Sequence, residues 1–84
     1  MAKHEKVLRQ ILRGGSDANI RFEDLCNLLR SLGFEERTRG SHRAFIKPGV
    51  EELINLQREG STAKPYQVRQ VRRVLTRYGL RSKE

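Results

Sequence analysis

The groups in this chain best suited to chemistry lie in one short run, Arg39-Gly40-Ser41-His42-Arg43-Ala44-Phe45. His42 brings an imidazole, whose reference pKa lies near neutrality, so it gives and takes protons under physiological conditions. Ser41 adds a hydroxyl. Gly40 either takes a positive φ or lets another backbone approach closely. Arg39 and Arg43 flank the run with fixed positive charge. Together these groups suit chemistry on a phosphodiester: arginines hold and neutralise the phosphate while the histidine moves protons. The same residues also compose an ordinary turn into a strand. Local chemistry alone favours that plainer reading, an exposed hairpin histidine.

Other chemistries find little support. The two histidines, His4 and His42, are far apart in sequence and too few for a metal set, and Cys26 is the only cysteine. An internal disulfide is therefore excluded, and no zinc spacing exists. Cys26 reads as a small apolar residue on a helix, and no metal or cofactor is expected.

Charge is the stronger signal. Eighteen Lys and Arg stand against ten Asp and Glu, for a formal net charge of +8 on 84 residues. An excess of this kind on a small domain points to nucleic acid or another polyanion, although some small proteins are basic only for solubility. The clustering favours a partner: Lys64 to Lys83 holds seven basic residues and no acidic one. No apolar run nears the roughly 20 residues a bilayer helix requires, and Met1 to Glu5 lacks an apolar signal region. The expectation is a cytoplasmic protein with no membrane contact, folded as a single domain over residues 1–84.

The elements that must position the run follow from periodicity and turn residues. Lys3 to Arg13 predicts a short helix with Val7, Leu8, Ile11 and Leu12 as a narrow apolar stripe, stopped by Gly14 and Gly15. So short a helix must dock on something or fray. Ser16 to Asn19 is loop composition. A second helix spans about Phe22 to Leu32. Phe22, Leu25, Cys26, Leu29 and Leu32 share one face, Glu23 and Asp24 suit the first turn, and Gly33 follows the end. Phe34 to Arg39, His42 to Lys47 and Leu53 to Gln57 predict strands, joined by Gly40-Ser41 and by a turn at Pro48-Gly49. Arg58 to Lys64 is a loop. The last helix starts at Pro65, a good first residue, and runs to about Tyr78, with Val68, Val71, Leu75 and Tyr78 inward.

The order α-α-β-β-β-α implies an α+β, two-layer sandwich: a three-stranded antiparallel sheet with helices on one face. The other sheet face is then open. Phe45, the bulkiest residue of its strand, should point at the helices. His42, three positions earlier, then points to the open face, together with Ala44 and Ile46. Those apolar residues would suit a protein partner.

Gly40-Ser41-His42-x-x-Phe45, followed by strands and a basic last helix, resembles the HicA toxins of bacterial type II toxin–antitoxin systems. The stretch Lys64 to Leu75 is similar to an extended branch of that family. The resemblance runs from about Phe22 to Leu80, and the family's fold is double-stranded-RNA-binding-like. It implies a core at 21–80, with residues 1–20 as an N-terminal extension. It also implies an mRNA interferase, an endoribonuclease that stops translation, neutralised by a HicB-like antitoxin that covers the histidine surface. The family's active histidine maps onto His42 and its lead-in onto Gly40 and Ser41.

On this reading His42 is the acid or base, Arg39 and Arg43 contact the phosphate, and Gly40 and Ser41 shape the RNA site. Arg69, Arg72, Arg73 and Arg77, on the last helix, are the RNA-binding arginines. The alternatives are a double-stranded-RNA-binding module without catalysis and, behind it, a DNA-binding or purely structural basic domain. A solvated helix face is the plainer reading of the four arginines, and RNA contact ranks ahead of it because no acidic partner lies in the stretch. The oligomeric state is open.

Overall fold

Glycine and proline punctuation decides where the elements begin and end. In the computed structural model, which describes residues 3–58 and 60–80, three helices and three strands follow one another. They are α1 (Lys3–Arg13), α2 (Phe22–Ser31), β1 (Glu35–Arg39), β2 (His42–Ile46), β3 (Ile54–Gln57) and α3 (Pro65–Tyr78), with a 3₁₀ turn at Asp17–Asn19 in what reads as loop. Phe34, Lys47 and Leu53 fall just outside the strands expected to hold them.

α2 closes through Gly33, at φ +96°. Its N–H donates to the Arg30 carbonyl and the Phe34 N–H to that of Leu29, both at 3.0 Å. This paired pattern consumes two carbonyls that a helix end leaves unsatisfied, and it drops Phe34 into the core. α3 closes the same way, with Gly79 at φ +61° and the Leu80 N–H on the Leu75 carbonyl at 3.0 Å. Pro48 and Gly49, the latter at φ +89°, form the turn after β2, closed by the Val50 N–H on the Lys47 carbonyl at 3.0 Å. Proline then positive-φ glycine is the type II pattern. It carries Val50 back into the core.

The sheet is antiparallel in the order β1-β2-β3, so the strand bearing His42 is central. Phe45 lies opposite Ile54 and Arg43 opposite Leu56. Phe45, Ile54 and Leu56 are fully buried, so that face meets the helices, as the parity of β2 requires. α2 reaches β1 and β2 through the Arg30–Glu36 and Glu23–Arg43 pairs, and α3 lies against β3.

α1 docks on α2 and α3 and buries Val7, Leu8 and Ile11 in the same core. Leu12, expected in that stripe, is 42% exposed. Four apolar positions at i, i+1, i+4 and i+5 are wider than the strip of α1 that its neighbours cover. A second tie was hidden in the two loops. Arg21 bridges Thr62, the Phe22 N–H donates to the Ser61 carbonyl and the Ala63 N–H to that of Ile20. Those bonds fix the entry to α3 against the entry to α2.

Candidate functional site

β1 and β2 are joined by a two-residue turn, because Arg39 pairs with His42. Gly40 sits in that turn at φ +62°, Ser41 has no positive φ, and a Cβ built on Gly40 would meet nothing within 4 Å. A positive φ at the first turn position alone is the II′ pattern, whose twist suits a hairpin. Gly40 is thus needed for backbone conformation, and the close-approach reading finds no neighbour within this chain.

The turn aims His42 at the open face. In register across the three strands stand Arg39, His42 and Gln57, all exposed. The next row is Arg37, Ala44 and Asn55. Beyond it come Glu35 and Ile46, with Leu53, half exposed, just before the start of β3. Ala44 and Ile46 are half-buried. The face therefore offers two guanidiniums, one imidazole, two carboxamides and the Glu35 carboxylate, 3.9 Å from Arg37, around a small apolar strip.

Arg43 is not part of that face. Its parity turns it toward the helices, where it pairs with Glu23 of α2 at 3.2 Å and Glu36 of β1 at 3.5 Å. Its guanidinium lies over the Phe22 ring, 5.3 Å from the centroid. Arg58 reaches the same Glu23 and the same ring, and Arg30 donates to Glu36 at 2.7 Å. Burial would raise the Glu23 carboxyl, but hydrogen bonds and charge from Arg43 and Arg58 outweigh it and hold it below the usual carboxylate value. The expectation that Arg43 flanks His42 on the phosphate is corrected here. Adjacent strand residues point to opposite faces, and Arg43 is the adjacent one.

The α3 arginines divide. Arg72 forms an ion pair with Asp17 of the 3₁₀ turn at 2.6 Å and is mostly covered. Arg77 pairs with Glu52 at 2.9 Å and lies 5.5 Å from the Tyr78 ring centroid. Tyr78 donates its hydroxyl to the same Glu52 at 2.7 Å, and that hydrogen bond, with Arg77, holds the Glu52 carboxyl down. Arg69 and Arg73 are exposed and hold no ion pair among the described residues. All four line one shallow groove with Thr76. The absence of acidic residues from Lys64 to Lys83 is a fact of sequence only, because Asp17 and Glu52 arrive from elsewhere in the fold.

Gln57 and Asn55 share this face although the motif around His42 does not point to them. A signal existed: Ile54 and Leu56 alternate inward, which turns their neighbours outward. The register that sets Gln57 opposite His42 has no local signature. Among the described residues no cluster of three or more His, Cys, Asp or Glu could hold a metal, and no helix is long and apolar enough to cross a membrane.

Fold and site define a small α+β domain with one helix-covered and one open sheet face, the open face centred on a histidine at a hairpin. Residues 22–80 match the family model described as HicA toxin of bacterial toxin–antitoxin. That is well over half of the chain, so the chain belongs to the HicA toxin family, the toxins of bacterial toxin–antitoxin systems. No curated protein and no solved structure matches it significantly.

Proposed function

We propose that the protein is an mRNA interferase whose open sheet face cleaves RNA, with His42 as the proton-transfer group. The observation that carries the reading is the row of His42 and Arg39, exposed side by side on that face. RNA supplies its own nucleophile. The 2′-oxygen attacks phosphorus, the bond from phosphorus to the 5′-oxygen breaks, and a 2′,3′-cyclic phosphate and a free 5′-hydroxyl result. The 2′-hydroxyl loses a proton and the leaving oxygen gains one. An imidazole serves either transfer. Arg39, with Arg37 one row on, holds the phosphate and offsets its charge. Ser41 and Gly40 shape the turn. Arg69 and Arg73 add phosphate contacts along α3, whereas Arg43 and Arg72 serve the fold.

Exchange of His42 for Ala tests this. An exposed side chain contributes little packing, and such changes usually stay within about ±0.5 kcal/mol. Loss of an acid–base group costs roughly 10²–10⁴ in rate. The His42→Ala protein should melt like the parent, bind RNA, and neither cut it nor arrest growth. Full toxicity in the folded variant would sink the assignment. RNA protection without cleavage by the parent would favour a binding module.

The antitoxin required of a toxin–antitoxin pair is proposed to be HicB-like and to cover this same face, where Ala44, Ile46 and Leu53 provide its apolar strip. Because Ile46 lies on the open side, Ile46→Glu should fold and lose affinity for the antitoxin. Unchanged affinity in a pull-down titration would place the antitoxin elsewhere.

A further inference from the structure

The proton-transfer reading leaves one exposed group in His42's own row unused. Gln57 ends β3 directly opposite His42. One residue outside that pair, the Arg58 N–H donates to the Ser41 carbonyl at 3.0 Å. A bond in that place makes His42 and Gln57 a non-hydrogen-bonded antiparallel pair. In such pairs the Cα atoms approach to about 4.5 Å and the side chains are closest. On its other flank His42 meets Arg39, the pair that closes the hairpin. Guanidinium, imidazole and carboxamide thus stand in line across three strands.

β3 is an edge strand, yet its end is anchored at this residue. In a non-hydrogen-bonded pair the Gln57 carbonyl points away from β2. It accepts from Gln67 Nε2 of α3 at 3.3 Å. Gln67 is only 1% exposed, buried in a core that is otherwise apolar among the described residues, and its Oε1 has no partner there. Burying a half-satisfied amide costs free energy that a leucine would not. What the amide does is hold the β3 backbone where the Gln57 side chain enters the row.

Resting on the phosphodiester-cleavage reading above, we infer that Gln57 is a substrate-contacting residue whose carboxamide N–H donates to a non-bridging oxygen of the phosphodiester on which His42 acts. Arg39 and Gln57 then grip the phosphate from the two sides of the imidazole. Charge on the non-bridging oxygens grows as the 2′-oxygen attacks, and a donor fixed in place beforehand stabilises it without reorganising. A carboxamide suits that place because it adds no second charge beside the imidazole.

The test is single-turnover and steady-state cleavage of a single-stranded RNA oligonucleotide by the parent, Gln57→Leu, Gln57→Glu and His42→Ala proteins. The same substrate is run with each non-bridging oxygen at the cut site replaced by sulfur. Gln57→Leu should lower kcat by about 10²–10³-fold, leave KM within a few-fold and melt like the parent. Gln57→Glu, equal in size but a carboxylate facing phosphate, should be slowed at least as much. Sulfur should slow the parent for one of the two diastereomers, and that penalty should vanish in Gln57→Leu. Cleavage at the parental rate by Gln57→Leu, or a KM change with kcat intact, overturns the Gln57 assignment alone. A parent that cuts no RNA overturns the cleavage reading and this inference with it.

Discussion

A single-residue step along β2 separates two roles. His42 meets solvent, and Arg43 meets Glu23, Glu36 and the ring of Phe22. Arg43 is four-fifths covered, so its removal empties the place over the Phe22 ring and takes one of two guanidiniums from each of Glu23 and Glu36, which Arg58 and Arg30 still hold. Arg43→Ala should destabilise the protein by about 1–3 kcal/mol, which for a domain of this size lowers Tm by several degrees per kcal/mol. The salt dependence of RNA binding should not change. A Tm equal to the parent's would show that the cluster contributes nothing.

Glu23 adds a pH signature. Its carboxyl is held below the ordinary value near 4.5, so the folded state binds its proton less readily than the unfolded chain. That contribution is present above the ordinary value and is lost as pH falls through the folded one. Stability should therefore fall on acidification below about pH 4.5, and Glu23→Gln should flatten the fall. Since Glu23 is nearly half exposed, solvent screening keeps the effect small. Equal acid profiles for both proteins would remove the linkage.

At the scale of the element, α3 turns one composition to two ends. Val68, Val71, Val74 and Leu75 are buried. The arginines between them divide between those tied to Asp17 or Glu52 and those with no ion pair among the described residues. Each phosphate contact on single-stranded RNA contributes about 0.7 to the slope of log affinity against log salt. Replacing Arg69 and Arg73 together should lower that slope by about 1.4 and leave Tm alone. Arg72→Ala should do the reverse, since it strips Asp17 of a partner in a half-buried place. A filter-binding salt titration and a melting curve for each variant distinguish the two. An unchanged slope in Arg69→Ala/Arg73→Ala would show that this face does not meet the RNA backbone.

For the molecule as a whole, α1 completes the core. Ile11 is fully buried, and Ile11→Ala should cost about 2–5 kcal/mol, a large share of the 5–15 kcal/mol typical of a domain. Cys26 reports the loss. Burial pushes its thiol up, more than the charge of Arg43 pulls it down, and only the thiolate is alkylated readily. Modification by iodoacetamide should track unfolding, slow in the parent and faster in Ile11→Ala. Equal rates in both would mean that α1 is not part of the cooperative unit.

What the chain determines without its tertiary structure is local. Gly33, Gly40, Gly49 and Gly79 each demand a positive φ, and so set where helices stop and strands turn back. Pro65 starts α3, and β2 must show Phe45 and His42 to opposite sides because strand side chains alternate. These follow from the sterics of a few consecutive residues, and they suffice for the element order, the open face and the place of His42 on it. Tertiary structure alone decided the partners. Asp17 reaches Arg72 across 55 positions, and Glu23 reaches Arg43 across 20. Nothing in either neighbourhood announces the other. The register of β3 belongs to the same class. The segment from Lys47 to Leu53 sets no pairing by its length, so only the packing of Ile54 and Leu56 under the helices, and the buried Gln67 at the strand's end, bring Gln57 beside His42.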